Sequence, residues 1–181
     1  MIDTVELKHL LTCNFINDKF NRVDVLVIKH SIEQYLKNEK YDFDMYIKMQ
    51  IDRGNQRARE ASRPEVNSLE DFTNYIDNLI PHFKELIKSL EEKGIIFDTQ
   101  DCLKLPLSTT PHFVLVDGAH RLAYIYLKKI TPIPVLRRVK ERIGNEIKPY
   151  DIEWFKKRFS TNDLEIINNE VDELEKYLKN D

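Results

Sequence analysis

The sequence predicts an α/β protein: a compact core built on a small mixed sheet, with helices inserted into the chain and added at its C-terminal end. Three observations lead there. The short β-branched strand Phe113-Val114-Leu115-Val116 runs through Asp117-Gly118 directly into a helix-patterned stretch, Ala119 to Lys129. A second apolar strand then starts at Ile133-Pro134-Val135-Leu136. Long segments elsewhere repeat apolar residues at spacings of three and four. Hydrophobic residues make up 41% of the 181 positions and charged residues 33%, a balance that suits one real core carrying well-solvated helices.

The elements follow in order. Residues 1–20, with Val5, Leu7, Leu10 and Leu11, fit either a short helix or an edge strand. Val23 to Ile28 is short, β-branched and bounded by polar residues, and reads as a buried strand. It leads into His30 to Leu36, a helical turn with Ser31 as its candidate cap. From Asp42 the period changes: Phe43, Tyr46, Ile47, Gln50 and Ile51 mark an amphipathic helix. That helix continues towards Arg53, Arg57, Arg59 and Arg63, weakened at Gly54 and interrupted at Ser62-Arg63-Pro64.

Ser68-Leu69-Glu70-Asp71 has capping-box spacing and opens the next helix, with Leu69, Phe72, Tyr75, Ile76 and Leu79 as its apolar set. Pro81 is expected to bend or restart it. Phe83, Leu86, Ile87 and Leu90 carry a second segment, closed by Lys93-Gly94. Ile95 to Phe97 and Leu103 to Leu107 are further strand candidates. Near the C-terminus, Ile152, Trp154, Phe155 and Phe159 suggest one helix. Leu164 to Leu178 suggest another, capped by Thr161 or Asn162, which either packs on the body or pairs with a second copy.

Charge and cysteine usage exclude some classes. With 28 basic and 31 acidic side chains the formal charge is −3, which disfavours a duplex nucleic-acid binder, since that affinity comes from neutralising phosphates. The two cysteines, Cys13 and Cys102, are isolated and read as reduced thiols. Met1 to Glu6 lacks the pattern of a signal peptide, and no apolar run approaches the ~18 residues of a membrane span. The expectation is a cytoplasmic protein without a membrane partner.

The stretch Val116-Asp117-Gly118-Ala119-His120-Arg121 carries the chemistry. A strand ends, a glycine permits a tight turn, and a helix begins at once. The first turn of a helix offers amides without intrahelical partners and the positive end of the dipole, which favour an anion. Gly118 lets backbone approach a ligand, and Arg121 can grip two phosphate oxygens together. His120 can donate to a phosphate or shuttle a proton, and Asp117 can hold a metal ion or orient a hydroxyl. Asp-Gly alone is a common turn that usually binds nothing; the combination of strand, turn, His-Arg and helix is what singles this one out.

This stretch resembles the signature of the ParB/sulfiredoxin-like superfamily, whose nucleotide-binding members carry a D-G-x-H-R turn after a buried strand. Phe83 to Gly94 is similar to the superfamily's L-x-x-S-I-x-x-x-G helix, and the I-P-V strand follows in order at Ile133-Pro134-Val135. The likeness covers residues 82–137 well and 23–36 loosely. It implies one domain over 1–181, with a core of 22–36 and 82–140, a helical insertion over 42–80 and C-terminal helices over 150–181. Ala119 stands where sulfiredoxins carry their catalytic cysteine, so sulfinic-acid reduction is not implied. The G-E-R-R turn and DNA-reading domain of chromosome-partition proteins are missing as well. The turn is most similar to that of the superfamily's small-molecule (free serine-type) kinases.

That branch implies a nucleoside triphosphate or diphosphate, ATP or ADP, together with Mg²⁺, and phosphoryl transfer to a hydroxyl of an amino acid, polyol or sugar. Gly118, Ala119, His120 and Arg121 would hold phosphate. Asp117 would hold the metal, and Asp117 and His120 would act in catalysis. Glu33, after the first core strand, would be the base, with Asp24 as a weaker alternative. A nucleotide-binding switch without chemistry and a ParB-like DNA-associated protein are the rival readings. Beyond the resemblance, Arg53 and Arg57 are four apart and share a helix face, either as a solvated surface or as a candidate anion clamp.

Overall fold

The computed structural model describes residues 2–62, 65–66, 69–94, 107–110, 112–137 and 150–180. The architecture is α/β, with seven helices, a four-stranded mixed sheet and a two-stranded sheet among the described residues. The chain forms two compact units, residues 1–30 with 95–181, and Ser31–Gly94.

In the first unit, strand β1 (Ile2–Val5) is followed by helix α1 (Leu7–Thr12), so the ambiguous N-terminal segment contains both of its alternatives. Strands β2 (Phe15–Ile16) and β3 (Lys19–Phe20) form a hairpin. Asn17 and Asp18 turn it with φ of 51° and 60°, the left-handed pair that a two-residue hairpin demands. The main sheet adds β4 (Leu107–Thr109), β5 (Leu115–Asp117) and β6 (Ile133–Arg137) in the order β1-β6-β4-β5. β4 and β6 pair in parallel at its centre, while β1 and β5 run antiparallel to their neighbours. Ile133 and Val135 are fully buried and alternate with half-buried Pro134, the period of a strand with one face in the core.

Helix α2 (Val23–Lys37) replaces the strand expected over Val23 to Ile28. Val23, Val25, Leu26, Val27 and Ile28 are each at most 1% exposed, as is Ile32. A helix buried on every side loses its polar face, and with it the 3.6-residue period that would distinguish it from a buried strand. Ser31, read as a cap, lies fully buried in the middle of this helix.

Helix α2 begins at a buried ion pair. Arg22 Nε and Nη2 donate to Asp24 Oδ1 and Oδ2, both at 2.9 Å, while the main chain of Asn21 to Val23 pairs with Tyr150. Seven residues on, Lys29 Nζ donates to Glu170 Oε2 at 2.8 Å and His30 Nδ1 lies 3.0 Å from Glu170 Oε1. Glu170 belongs to the last helix, Thr161–Lys179, which packs on the body through buried Ile167 and Leu174. Its cap is Ser160, in a reciprocal capping box with Asp163, one residue before the expected Thr161 or Asn162. The aromatic helix before it ends at Lys156, so Phe159 lies beyond its end.

The second unit holds the end of α2 with helices α3 (Asp44–Glu60) and α4 (Leu69–Lys93). Helix α3 passes through Gly54 without a break. Phe43 precedes it with a left-handed φ of 62°, its ring buried and in edge contact with Tyr41, Tyr46 and Phe83. Tyr46 stacks on Phe83 at 4.1 Å between centroids. Helix α4 continues through Pro81 as one helix of 25 residues, so the proline does not restart it. Proline removes one main-chain bond and crowds the carbonyl four residues back, a cost that the buried side chains of Phe83, Ile87 and Leu90 offset just beyond it. Gly94 closes the helix at φ 67°. The strand candidates at Ile95 to Phe97 and over 103–106 lie outside the described residues, as do Cys102, Arg63 and Ser68.

Two outcomes check this packing. Asp24→Ala leaves the Arg22 guanidinium buried without its carboxylate and should lower stability by roughly 3–5 kcal/mol, read as a fall in the urea midpoint. Burial pushes the Tyr126 phenol up to about 12 from its ordinary value of 10. The folded state therefore keeps a proton that the unfolded chain releases, so stability is lost as pH rises from about 10 through 12. Tyr126→Phe should flatten part of that alkaline decline in denaturation midpoints measured across the range.

Candidate functional site

Strand β5 occupies an edge of its sheet among the described strands, and only Leu115 of its three residues is fully buried. The strand expected to be buried over Phe113 to Val116 is thus an edge strand over Leu115–Asp117. Its outer backbone groups are met by two side chains. The Leu115 amide donates to Asn14 Oδ1 at 2.9 Å, and the Leu115 carbonyl accepts from Arg22 Nη1 at 2.9 Å. Asn14 is itself fully buried, and its Nδ2 donates to the Leu10 carbonyl at 2.7 Å. Asn14 and Arg22 therefore stand in for a further strand and hold the chain two residues before Asp117. Neither signals that role in the sequence; the one available hint is the Arg22-x-Asp24 pair placed against an apolar run.

Asp117 is exposed and its Oδ1 accepts from the Gly118 amide at 2.7 Å, which tightens the turn. Gly118 adopts φ 98°, ψ 26° and precedes helix α5 (Ala119–Lys128). The first intrahelical bond runs from the Leu122 amide to the Gly118 carbonyl at 2.9 Å, so the amides of Ala119, His120 and Arg121 lie ahead of the ladder. His120 and Arg121 are half-buried on this first turn, and Ala119 is buried. The strand–turn–helix register expected from the sequence is thus present, with Asp117, Gly118, His120 and Arg121 together at one helix start.

Gly118 permits the tight turn expected of it and has a further reason inside the fold. A Cβ built on it would stand 2.6 Å from Leu107 Cδ2, on the neighbouring strand β4. The glycine is required by its left-handed φ and by the Leu107 side chain, both internal to the fold.

Electrostatically, burial opposes the charge on Arg22, but Asp24 outweighs it, with smaller help from Tyr150 and Asp117, and the guanidinium holds its proton more firmly than usual. The buried cation therefore feels the Asp117 carboxylate. Asp24 is fully buried and engaged by Arg22 through both oxygens, which removes it as a candidate base. The thiol of Cys13 lies 3.6 Å from His9 Nε2 and is pushed up by burial.

The other candidates belong to the second unit. Glu33 lies on α2 rather than after a strand, and its Oε1 accepts from Lys37 Nζ at 2.8 Å. The position that the resemblance assigned to a base therefore does not follow a core strand but lies well inside a helix. On α3, Arg53 is buried and Arg57 exposed, and both charges act on the Tyr75 phenol, which burial pushes up and the two arginines pull down. Arg59 pairs with Glu65. Among the described residues no three His, Cys, Asp or Glu side chains gather as a metal site. Mg²⁺ bound through phosphates needs only one or two carboxylates, and the exposed Asp117 suits that mode.

Replacing Gly118 by alanine should cost roughly 1–3 kcal/mol, because a Cβ is strained at this φ and meets Leu107. Pairing it with Leu107→Ala should relieve the contact but not the backbone, so thermal unfolding of the double variant should show less than additive loss.

No known family model matches the chain, and neither the curated proteins nor the solved structures give a match.

Proposed function

We propose that the Asp117–Arg121 turn binds the phosphate tail of a nucleotide and that the chain transfers a phosphoryl group from it to a hydroxyl of a small molecule. The observation that carries this reading is the left-handed Gly118, which swings an anchored edge strand straight into the start of a ten-residue helix. In this reading the amides of Ala119 to Arg121 face the phosphate oxygens, Arg121 holds two of them, and His120 donates a hydrogen bond. The exposed Asp117 orients the acceptor hydroxyl, and it or His120 takes the proton that the hydroxyl loses. Asp117 would also hold Mg²⁺, which supplies charge neutralisation between phosphates. The likeness of Asp117 to Arg121 to the kinase branch of the ParB/sulfiredoxin-like superfamily supports the choice of phosphotransfer.

A second reading is nucleotide binding without chemistry. It is favoured by Glu33, whose carboxylate is paired with Lys37 on a helix instead of following a core strand.

Isothermal titration with ATP, ADP and CTP in Mg²⁺ should show binding that Arg121→Ala weakens about ten-fold, the effect of losing a charge-assisted contact. Incubation with serine, glycerol and glucose, followed by mass spectrometry, separates the readings. A phosphorylated product supports transfer, and binding without product supports the switch. Folded protein that binds none of the three nucleotides sinks both.

A further inference from the structure

We propose that the helical unit Ser31–Gly94 carries a binding site for a small organic cation, a protonated amine on an apolar body. The site is independent of the Asp117 turn. A cavity of about 440 Å³, within the range that small ligands fill, opens between the start of α3 and the middle of α4. Ile47, Ile76 and Ile80 supply aliphatic walls, and Tyr41 and Phe43 supply aromatic ones, with ring centroids 5.1 Å apart. Its polar groups are Asp42, Asp77 and Lys84, so the lining carries one net negative charge.

The second observation is Pro81, which also lines the cavity. Inside α4 the Asp77 carbonyl would take its regular hydrogen bond from the amide of residue 81. Proline has no amide hydrogen, so the ladder cannot supply that bond. The next carbonyl along, that of Asn78, takes a contact from His82 Nδ1 at 2.6 Å. Asp77 and Pro81 both line the cavity, and in the proposed site the Asp77 carbonyl stands with the Asp77 and Asp42 carboxylates at its exposed rim. Three acceptors beside an apolar wall suit an ammonium group, which is all donor.

Lys84 decides between a cation and a zwitterion. It stands over the rings of Tyr35, outside the lining, and Phe43, within it, at 5.4 and 5.7 Å from their centroids. Asp42 and Asp77 outnumber it two to one, so the carboxylate of a zwitterion would meet more like than opposite charge in the lining. A monocation at the Asp77 end, with its hydrocarbon on the isoleucines, can use the whole site.

The test is calorimetric titration of the full chain with hexylammonium, phenethylammonium, hexanol and hexanoate. Both ammonium ions should bind. Hexanol should bind about ten-fold more weakly or not at all, and hexanoate no better than hexanol. Asp77→Asn should weaken the ammonium ions about ten-fold, with Asp42→Asn in the same direction. Pro81→Ala returns an amide to the Asp77 carbonyl, so it should raise the melting temperature while weakening the ammonium ions. Arg121→Ala should leave ammonium binding unchanged, which keeps this site separate from the phosphate reading. Absence of ammonium binding at millimolar concentration, hexanol binding as tightly as hexylammonium, or an affinity indifferent to Asp77→Asn or Pro81→Ala overturns the proposal.

Discussion

The two hydrogen bonds on Leu115 are the constraint on which the rest of the candidate site depends. An edge strand presents an amide and a carbonyl to whatever lies beside it, and here both are taken by buried side chains. Asn14 reaches from the end of α1 and Arg22 from the start of α2. The guanidinium remains charged inside the protein because Asp24 grips it through two oxygens. One buried cation therefore joins the opening of α2 to the strand that delivers Asp117, while the main chain on either side of it pairs with Tyr150. A lysine in its place would keep the charge but lose the planar fork that reaches the carboxylate and the Leu115 carbonyl together.

From that anchor the turn follows with little freedom. β5 is held on one side by β4 and on the other by Asn14 and Arg22. Leu107 occupies the space next to Gly118, and the Asp117 carboxylate closes on the Gly118 amide. The helix start is thus set by packing before any ligand is considered. Preorganisation of this kind is what a phosphate site requires, because amides that need not move lose little on binding.

How much of this the sequence disclosed depends on how each element meets water. β6 was legible because its burial alternates along the strand, and α5 because it follows a glycine turn at once and runs too long for a strand, although Leu122 to Tyr126 are all buried. The turn at Asp117-Gly118 was legible because a left-handed residue needs glycine. Helix α2 was not, since burial on every side erased its polar face, and its β-branched valines then imitate a strand. The Asn17-Asp18 pair is a turn signal, but the two-residue strands beside it give no alternation to confirm a hairpin. Pro81 does not restart its helix: its local cost is real, but long-range packing of Phe83 and Ile87 outweighs it. Of the site residues, those on the turn were readable as a contiguous motif. Asn14 and Arg22 were not, because their partner is a backbone about a hundred residues away.

Both proposals rest on the polarity of a helix. At the start of α5 it is positive: amides precede the first intrahelical bond, beside Arg121 and the positive end of the dipole. In the proposed reading such a place takes an anion rather than an amine. In the middle of α4 the surplus is of acceptors, because Pro81 withholds an amide from the Asp77 carbonyl and two carboxylates stand near it. In the proposed reading that place takes an ammonium rather than a phosphate. The two proposals thus assign ligands of opposite charge to the two units, donors leading in one and acceptors in the other. Each follows from groups internal to its own unit.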